Sequence, residues 1–565
     1  MYRRTTGSGR ALLAAAAACA MLGGCATVGG DAPGTPVYVP GTGYHMLMAE
    51  IAAERGIQPV AAEEYLRAAE HSDSPAESQR ATAFAFEYGF DAWALRAARR
   101  WAALAPDEAS ARLHLARLLV RRNDIEGAAA QAAAALGPAA QRSEEDYSLL
   151  AGELAQEDNP EGVTRVWTRL AARAPPTPAL QTAVAGAALR SGDLELALAA
   201  AHSAIDPDIA WPGEDEAQTV IGRALLARGQ TDAALAYARE QAAARPEAGT
   251  AIEYASLLAA ADRSGEALAV LADLESRQGE EPAARRLRGL MSLDAGDDQA
   301  AWEQFSGLAS NDEYGGEACF RLAGIALRQQ QLETAVQMLA RVDEGPWLLP
   351  ARDALAHIAV ARGDLPTALQ LLEVLALQHP ELAFQAARRR AAILQQEGAW
   401  QRALDVLDGI VRFQPDDAQL RLTRGALLEQ MGRIGPALAD MAAAAALMPD
   451  NALVLNAYGY TLANRSSRRA EAYGLIRRAL ERRPDDPAIL DSYGWVLYRQ
   501  GRLALARSYL ELAHARLADP EVAAHLGEVM WKQGEHERAR RLWEDALQAS
   551  PTSQPLLDTL ARFPR

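Results

Sequence analysis

Lysine is almost absent from this chain, since only Lys532 among its 57 basic residues is a lysine and the others are arginines. Aromatic residues are also scarce, at 6% of 565 residues. The formal net charge of -17 makes the chain as a whole repel duplex DNA or RNA, so nucleic acid is excluded as a partner on this scale. An alanine-rich, aromatic-poor composition favours many small packed helices over several large separate cores.

Cysteine is nearly as rare, with Cys19 and Cys25 near the start and Cys319 alone in the body of the chain. Three cysteines in these places cannot build a disulfide framework. The mature chain is therefore expected to have no intramolecular structural disulfide. Cys319 is expected to act as a small buried apolar residue on a helix.

Long hydrophobic runs are missing too, and the longest near the start covers residues 11–22 behind Arg3, Arg4 and Arg10. Twelve apolar residues are too few for a membrane-spanning helix, which needs about 20. A positive start followed by a short apolar run and small residues indicates a signal peptide over residues 1–24. Residues 22–25 read Leu-Gly-Gly-Cys, which resembles the lipobox of bacterial lipoproteins. An ordinary secretory signal cut near Ala20 or Ala26 is the alternative.

The lipobox resemblance implies that Cys25 becomes the acylated first residue and anchors the protein to a membrane. In Gram-negative lipoproteins an aspartate after this cysteine retains the protein at the inner membrane, whereas this chain has Ala26. The resemblance thus implies the periplasmic face of the outer membrane. Residues 25–41 are rich in glycine and proline, which predicts a flexible tether.

An internal repeat of about 34 residues fills the remainder of the chain. An alanine marks each repeat, with Thr164 in one of the places: Ala61, Ala94, Ala128, Ala197, Ala234, Ala267, Ala301, Ala335, Ala368, Ala403, Ala437, Ala472, Ala506 and Ala539. Five residues before most of them stands a glycine suited to a left-handed turn: Gly56, Gly89, Gly192, Gly229, Gly296, Gly363, Gly398, Gly432, Gly501 and Gly534. Many repeats also have a proline twelve residues after the alanine, where a second helix would stop.

This pattern resembles the tetratricopeptide repeat, a helix pair with small residues at its crossing points. The resemblance implies an all-α tetratricopeptide-repeat solenoid, a right-handed superhelix of about 15 helix pairs whose first helices line the concave side. We expect acidic, more divergent repeats over residues 42–383, regular repeats over 384–553 and a capping segment over 554–565. Residues 25–383 carry a net charge of -23, and residues 384–565 carry +3.

The chain lacks the sequence patterns of common catalytic sites. We find no pair of zinc-binding histidines around a glutamate, no phosphate loop, no Gly-x-Ser-x-Gly in the mature chain and no Ser-x-x-Lys. His525, Glu528 and His536 come nearest to a metal cluster, but they straddle a turn and are expected on a solvated surface. The sequence therefore predicts a binding scaffold rather than an enzyme, with no cofactor and no metal ion.

Aromatic, amide and charged residues recur at helical spacing on the inward side of the last repeats. They are Asn456, Tyr460, Asn464, Asp491, Trp495, Tyr498, Arg499, His525, Glu528, Trp531 and Lys532. Such a set suits an extended peptide, because rings cover apolar side chains while amides and cations bond the backbone or a carboxylate. Large aromatics in helical repeats are often core residues as well, so Trp495, Tyr498 and Trp531 are equally compatible with packing between helices.

Residues 486–501 and 519–531 resemble a group of proteobacterial outer-membrane lipoproteins built almost wholly of these repeats. The group is similar in length, anchor and repeat count to the lipoprotein adaptor of a periplasmic carboxyl-terminal processing protease. This resemblance implies an adaptor that binds the protease and its protein substrates, such as peptidoglycan hydrolases. An assembly scaffold for a pilus or an exopolysaccharide export machine is the alternative.

Overall fold

The computed structural model describes residues 40–138, 142–205 and 213–563. The predicted signal peptide, the lipidation site at Cys25 and nearly all of the predicted tether lie outside these residues. Over the described ranges the chain forms 31 α-helices and one 3-10 helix, and it contains no strand. The prediction of an all-α repeat fold is confirmed. No described helix combines the length and the apolar character that crossing a membrane requires.

The chain divides into two compact units, Met1–Arg390 and Ala391–Arg565. The helices of the first unit are α1 Thr42–Glu54, α2 Gln58–Glu70, α3 Pro75–Glu87, α4 Asp91–Leu104, α5 Ala109–Arg121, α6 Ile125–Ala135, α7 Glu144–Leu154, α8 Pro160–Ala171, α9 Pro178–Ser191, α10 Leu194–Ala204, α11 Glu214–Ala227, α12 Thr231–Ala244, α13 Ala248–Ala260, α14 Ser264–Gln278, α15 Pro282–Asp294, α16 Asp298–Leu308, α17 Gly315–Arg328, α18 Leu332–Ala340, α19 Leu348–Ala361, α20 Leu365–Gln378 and the 3-10 helix η1 Pro380–Leu382.

Helix α21, Ala383–Gln396, includes the division between the units. The second unit continues with α22 Trp400–Phe413, α23 Ala418–Gln430, α24 Ile434–Leu447, α25 Ala452–Arg465, α26 Arg469–Arg482, α27 Pro487–Arg499, α28 Leu503–Arg516, α29 Pro520–Lys532, α30 His536–Ala549 and α31 Gln554–Arg562. In chain order, fifteen first helices alternate with fifteen second helices among the described residues, and one final helix follows. The division into acidic repeats over residues 42–383, regular repeats over 384–553 and a capping segment over 554–565 stays a prediction.

The marker alanines lie where the two helices of a pair cross. All fourteen are 0% exposed, and Thr164, which replaces one of them, is 6% exposed. The glycine that faces such an alanine allows the close approach: a Cβ on Gly494 would lie 2.6 Å from Leu510 Cγ and 3.1 Å from the Ala506 carbonyl oxygen. The sterics of helix crossing therefore explain why a small residue recurs at the marker position.

In thirteen of the fifteen described pairs the turn contains a residue with positive φ. All ten predicted turn glycines adopt it, with φ between 69° and 88°. In three pairs without the glycine, Asn123, Asp262 and Gln330 take the same left-handed conformation at φ 56°, 59° and 58°. These three turns keep their geometry without glycine, whereas the described turns of α7–α8 and α25–α26 contain no residue with positive φ.

Cys319 is 2% exposed on α17, as the sequence predicts. Its Sγ lies 3.8 Å from the Ala309 carbonyl oxygen, and burial raises the pKa of the thiol. At neutral pH this thiol is protonated and shielded from reagents.

Candidate functional site

The predicted site residues lie on the first helices of the last three pairs, α25, α27 and α29. Two of these helices begin at an aspartate followed by a proline. Asp486 accepts hydrogen bonds from the amides of Ala488 and Ile489, and Asp519 accepts one from the amide of Glu521. A capping carboxylate and a proline in the first turn fix where each helix starts, and hence which side chains share a face.

Trp495 lies at the centre of the set and is 5% exposed. Its ring stacks on the imidazole of His525 at a centroid distance of 4.0 Å, and its indole N–H donates to Asn464 Oδ1 at 2.8 Å. The side chain therefore links α25, α27 and α29. The sequence is compatible with a role of Trp495 in peptide binding or in packing between helices, and the structure shows packing between helices.

His525 faces the carboxylate of Asp491, with its Nδ1 3.0 Å from both Asp491 oxygens. The two residues are 8% and 6% exposed. Burial alone lowers the pKa of His525, but the carboxylates of Asp491, Glu521 and Glu528 outweigh it and hold this pKa above its usual value. The expectation that His525 and Glu528 lie on a solvated surface is wrong, because each packs against the neighbouring repeat, with Glu528 6% exposed.

Two tyrosines extend this network across the repeats. The hydroxyl of Tyr460 donates to Glu521, joining α25 to α29, and the hydroxyl of Tyr498 donates to Glu528 Oε1 at 2.8 Å. Burial and these carboxylates raise the pKa of both phenols, so both remain donors at neutral pH. Glu528 also accepts from Arg562 of the final helix at 2.9 Å.

Sequence reasoning missed Glu521 and Arg562. Glu521 precedes His525 by one helical turn, so its position on the same face was a usable signal. Arg562 comes from the final helix, and no local pattern relates it to Glu528.

Trp531 lies apart from this network. Its ring packs on Trp543 and Phe563 with centroids 5.9 Å and 5.5 Å away, and it stacks on His536 at 4.3 Å. These contacts place Trp531 in the packing between the last pair and the final helix.

Arg499 and Lys532 remain available for a partner. Within the described residues neither makes a hydrogen bond or an ion pair, and together with Tyr498, Gly501 and Leu503 they line a shallow recess. Asn456 also has a buried Oδ1 that finds no hydrogen-bond donor among the described residues. Two cations beside a phenol suit a carboxylate of another protein. That these residues bind a protein stays a prediction.

No group of three or more histidine, cysteine, aspartate or glutamate side chains in the described ranges is arranged to hold a metal ion. His525 instead pairs with Asp491, and Glu528 accepts hydrogen bonds from Tyr498 and Arg562. The His536 ring stacks on the Trp531 ring.

Comparison with known proteins matches part of the chain to tetratricopeptide repeats. One tetratricopeptide-repeat profile matches residues 354–418, 465–521 and 494–554, and a second matches residues 390–457. A tetratricopeptide-repeat-containing protein of Pseudomonas aeruginosa is 40% identical over 215 residues, which are 37% of this chain and 36% of that protein. The chain thus spans little more than a third of the length of this relative.

Two solved structures are also similar. The APC/C hetero-tetramer Cut9–Hcn1 is 14% identical with a TM-score of 0.34, covering 92% of this chain and 96% of the other. A tetratricopeptide-repeat protein of Thermus thermophilus is 20% identical with a TM-score of 0.29, covering 32% of this chain and 96% of the other. From the matched profiles we conclude that residues 354–457 and 465–554 contain tetratricopeptide repeats, a repeat type that serves as a scaffold for binding other proteins.

Proposed function

We propose that this protein is a non-catalytic adaptor anchored to the periplasmic face of the outer membrane through acyl chains on Cys25. It delivers protein substrates, such as cell-wall hydrolases, to a periplasmic carboxyl-terminal processing protease. The recess with Arg499 and Lys532 carries the binding part of this proposal, because it brings together two cations that make no ion pair within the described residues.

The network behind the recess holds one of its walls, the Tyr498 side chain, in place. Tyr498 forms one wall of the recess and is held by Glu528, which in turn is held by Arg562. A site whose supporting side chains are already ordered loses little entropy when a partner binds. A carboxylate-bearing segment of a partner gains two charge-assisted interactions there.

The distribution of charge supports an adaptor with two kinds of partner. Residues 25–383 carry a net charge of -23, whereas residues 384–565 carry +3. Surfaces of different sign attract different partners and orient their encounters. An adaptor needs this property, since it has to hold a protease and a substrate at once.

Replacing Cys25 with alanine tests the anchor. Each buried methylene of an acyl chain adds roughly 0.8 kcal/mol of membrane affinity, so the acylated protein is expected in the outer-membrane fraction and in the detergent phase. The Cys25→Ala protein is expected in the soluble periplasm. Unchanged partitioning of this variant would remove the anchor from the proposal.

Crosslinking in the envelope, followed by affinity capture, tests the partner. The adaptor role predicts recovery of a processing protease together with cell-wall hydrolases, and weaker recovery with the Arg499→Ala, Lys532→Ala double variant. Arg541→Ala is the matched control, because Arg541 is an exposed arginine of the same unit on α30, away from the recess. Recovery of a secretin or an export pore instead would refute the adaptor role and favour the assembly scaffold.

A further inference from the structure

A second recess, in the first unit, lies among α11, α12 and α13 and encloses about 350 Å³. Its origin is visible in the sequence. In the following pair, the second helix is α14, and its marker alanine is Ala267. Leu271 and Leu274 follow this alanine by four and seven residues, and both are 0% exposed. At the corresponding places α12 has Ala238 and Gln241, which are too small or too polar to fill the space. We call this space the α11–α13 cavity.

One wall contains a buried acceptor without a donor. Gln218 is 8% exposed, and its Nε2 donates to Glu214 Oε1 at 2.6 Å, which fixes the orientation of the amide. The Gln218 Oε1 therefore faces away from Glu214, and it finds no partner within the described residues. A buried acceptor of this kind costs free energy unless a donor reaches it.

The charges around the cavity leave an excess of carboxylates. Its two cations are already paired, Arg223 with Glu253 at 2.6 Å and Arg245 with Asp215. Glu216 and Glu247 also line it, and neither makes an ion pair in the part of the chain that the structure describes.

Two half-buried tyrosines, Tyr237 and Tyr254, complete the lining. Burial first, and then the nearby carboxylates of Glu214 and Glu240, raise the pKa of Tyr237 to about 12. The phenol is neutral at physiological pH, and the same carboxylates give the cavity a negative potential.

We propose that the α11–α13 cavity binds the cationic side chain of an arginine in a partner protein. The guanidinium donates to the carboxylates that line the cavity, while the tyrosine rings cover its planar faces. An anion is repelled by the excess carboxylates, and an apolar group makes no charge-assisted contact with them. This site is independent of the adaptor role and of the recess in the second unit.

Fluorescence anisotropy with a labelled Gly-Ser-Arg-Ser-Gly peptide at low salt tests this site in the full mature chain. The same peptide with citrulline, a neutral isostere of arginine, is expected to bind at least tenfold more weakly. Ala238→Leu fills the cavity without changing any charge and is expected to abolish binding, while Ala238→Ser keeps the space and retains it.

A charge variant supports the test in case the larger side chain disturbs the fold. Glu216→Gln removes one carboxylate from the cavity and is expected to weaken arginine-peptide binding at least threefold. Glu344→Gln makes the same change at an exposed glutamate elsewhere in the first unit and is expected to have no effect. Equal binding of the citrulline peptide, or unchanged binding by a folded Ala238→Leu protein, would overturn the proposal.

Discussion

Trp495 joins three successive repeats, since it stacks on His525 and donates to Asn464 while it belongs to α27. Arg499, one turn further along, makes no such contact among the described residues and lines the recess with Lys532. Of these two positions on one helix, Trp495 packs between repeats and Arg499 lines the recess.

Substitutions at these two positions should therefore have different effects. Trp495→Ala removes a buried ring and leaves Asn464 Oδ1 without its donor, so we expect a loss of roughly 3 to 5 kcal/mol of stability. Arg499→Ala removes only a surface side chain and should change stability by about 0.5 kcal/mol at most. Thermal unfolding followed by circular dichroism measures both. Equal stability of the two variants would show that Trp495 is not a packing residue.

The buried His525–Asp491 pair should make stability depend on pH. The folded-state pKa of His525 is raised, so its contribution is fully present below the ordinary histidine pKa of about 6.5 and is lost as pH rises through the folded-state value. Asp491→Asn leaves a buried cation unpaired and should cost roughly 3 to 5 kcal/mol at pH 6.

Melting curves of the wild-type and Asp491→Asn proteins from pH 6 to 9 test this pair. The stability difference between them should shrink as pH rises. A difference that is constant with pH would mean that His525 is neutral throughout this range.

The turn inside most helix pairs contains a left-handed residue, and in three pairs this residue is not glycine. Gln330, at φ 58°, is the clearest case, because it is an exposed and unbranched residue. The left-handed conformation costs such a residue about 1 to 2 kcal/mol, whereas glycine loses instead roughly 0.5 to 1 kcal/mol through backbone entropy on folding. Gln330→Gly should therefore raise stability by about 0.5 to 1 kcal/mol.

The reverse substitution provides the control. Gly432 has φ 73°, so Gly432→Gln should lower stability by about 1 kcal/mol in the same urea-unfolding measurement. If Gln330→Gly were destabilising, the turn would owe its conformation to contacts of the glutamine side chain and not to the backbone.

The close crossing of α27 and α28 at Gly494 leads to a separate prediction about stability. A methyl group there would lie 2.6 Å from Leu510 Cγ, so Gly494→Ala should force α27 and α28 apart at a cost of about 1 to 3 kcal/mol. Gly474 also lies inside a helix but has nothing within 4 Å of its Cβ position. Gly474→Ala should instead stabilise α26 by up to about 1 kcal/mol.

Hydrogen exchange read on peptides of α27 and α28 is the measurement of choice, because repeat proteins open locally as well as globally. Protection should fall there in Gly494→Ala and stay unchanged in Gly474→Ala. Equal protection in both variants would contradict the close crossing at Gly494.

The sequence predicts these elements well because their causes are local. Seven of the eight predicted stop prolines, such as Pro484 after Arg482, follow the last residue of a second helix at a spacing of two, since proline cannot continue it. At Asn123, Asp262 and Gln330 the turn glycine of the pattern is missing, and there the backbone keeps the turn without it.

The site was less predictable, because its contacts join repeats that are distant in sequence. Tyr460 and Glu521 are 61 residues apart, and Glu528 meets Arg562 of the final helix. Helical spacing places each side chain on a face, but it does not say which side chains on adjacent helices pair. The burial of His525 and Glu528 follows from that pairing, and it is why the expected solvated surface was wrong.

The two units share one repeat pattern but differ in net charge. The excess of acidic residues over positions 25–383 gives the cavity of the first unit its negative environment, while the recess of the second unit presents two cations. The cavity and the recess thus favour ligands of opposite charge, and the two proposals are tested separately.

The adaptor role is tested most directly by the rate at which the purified processing protease of the same envelope degrades a purified cell-wall hydrolase. The mature wild-type chain should accelerate degradation, and the Arg499→Ala, Lys532→Ala variant should need about thirtyfold more protein for the same effect if the recess contributes about 2 kcal/mol. Arg541→Ala should behave as wild type. Degradation at one rate with and without the chain would contradict the proposed function.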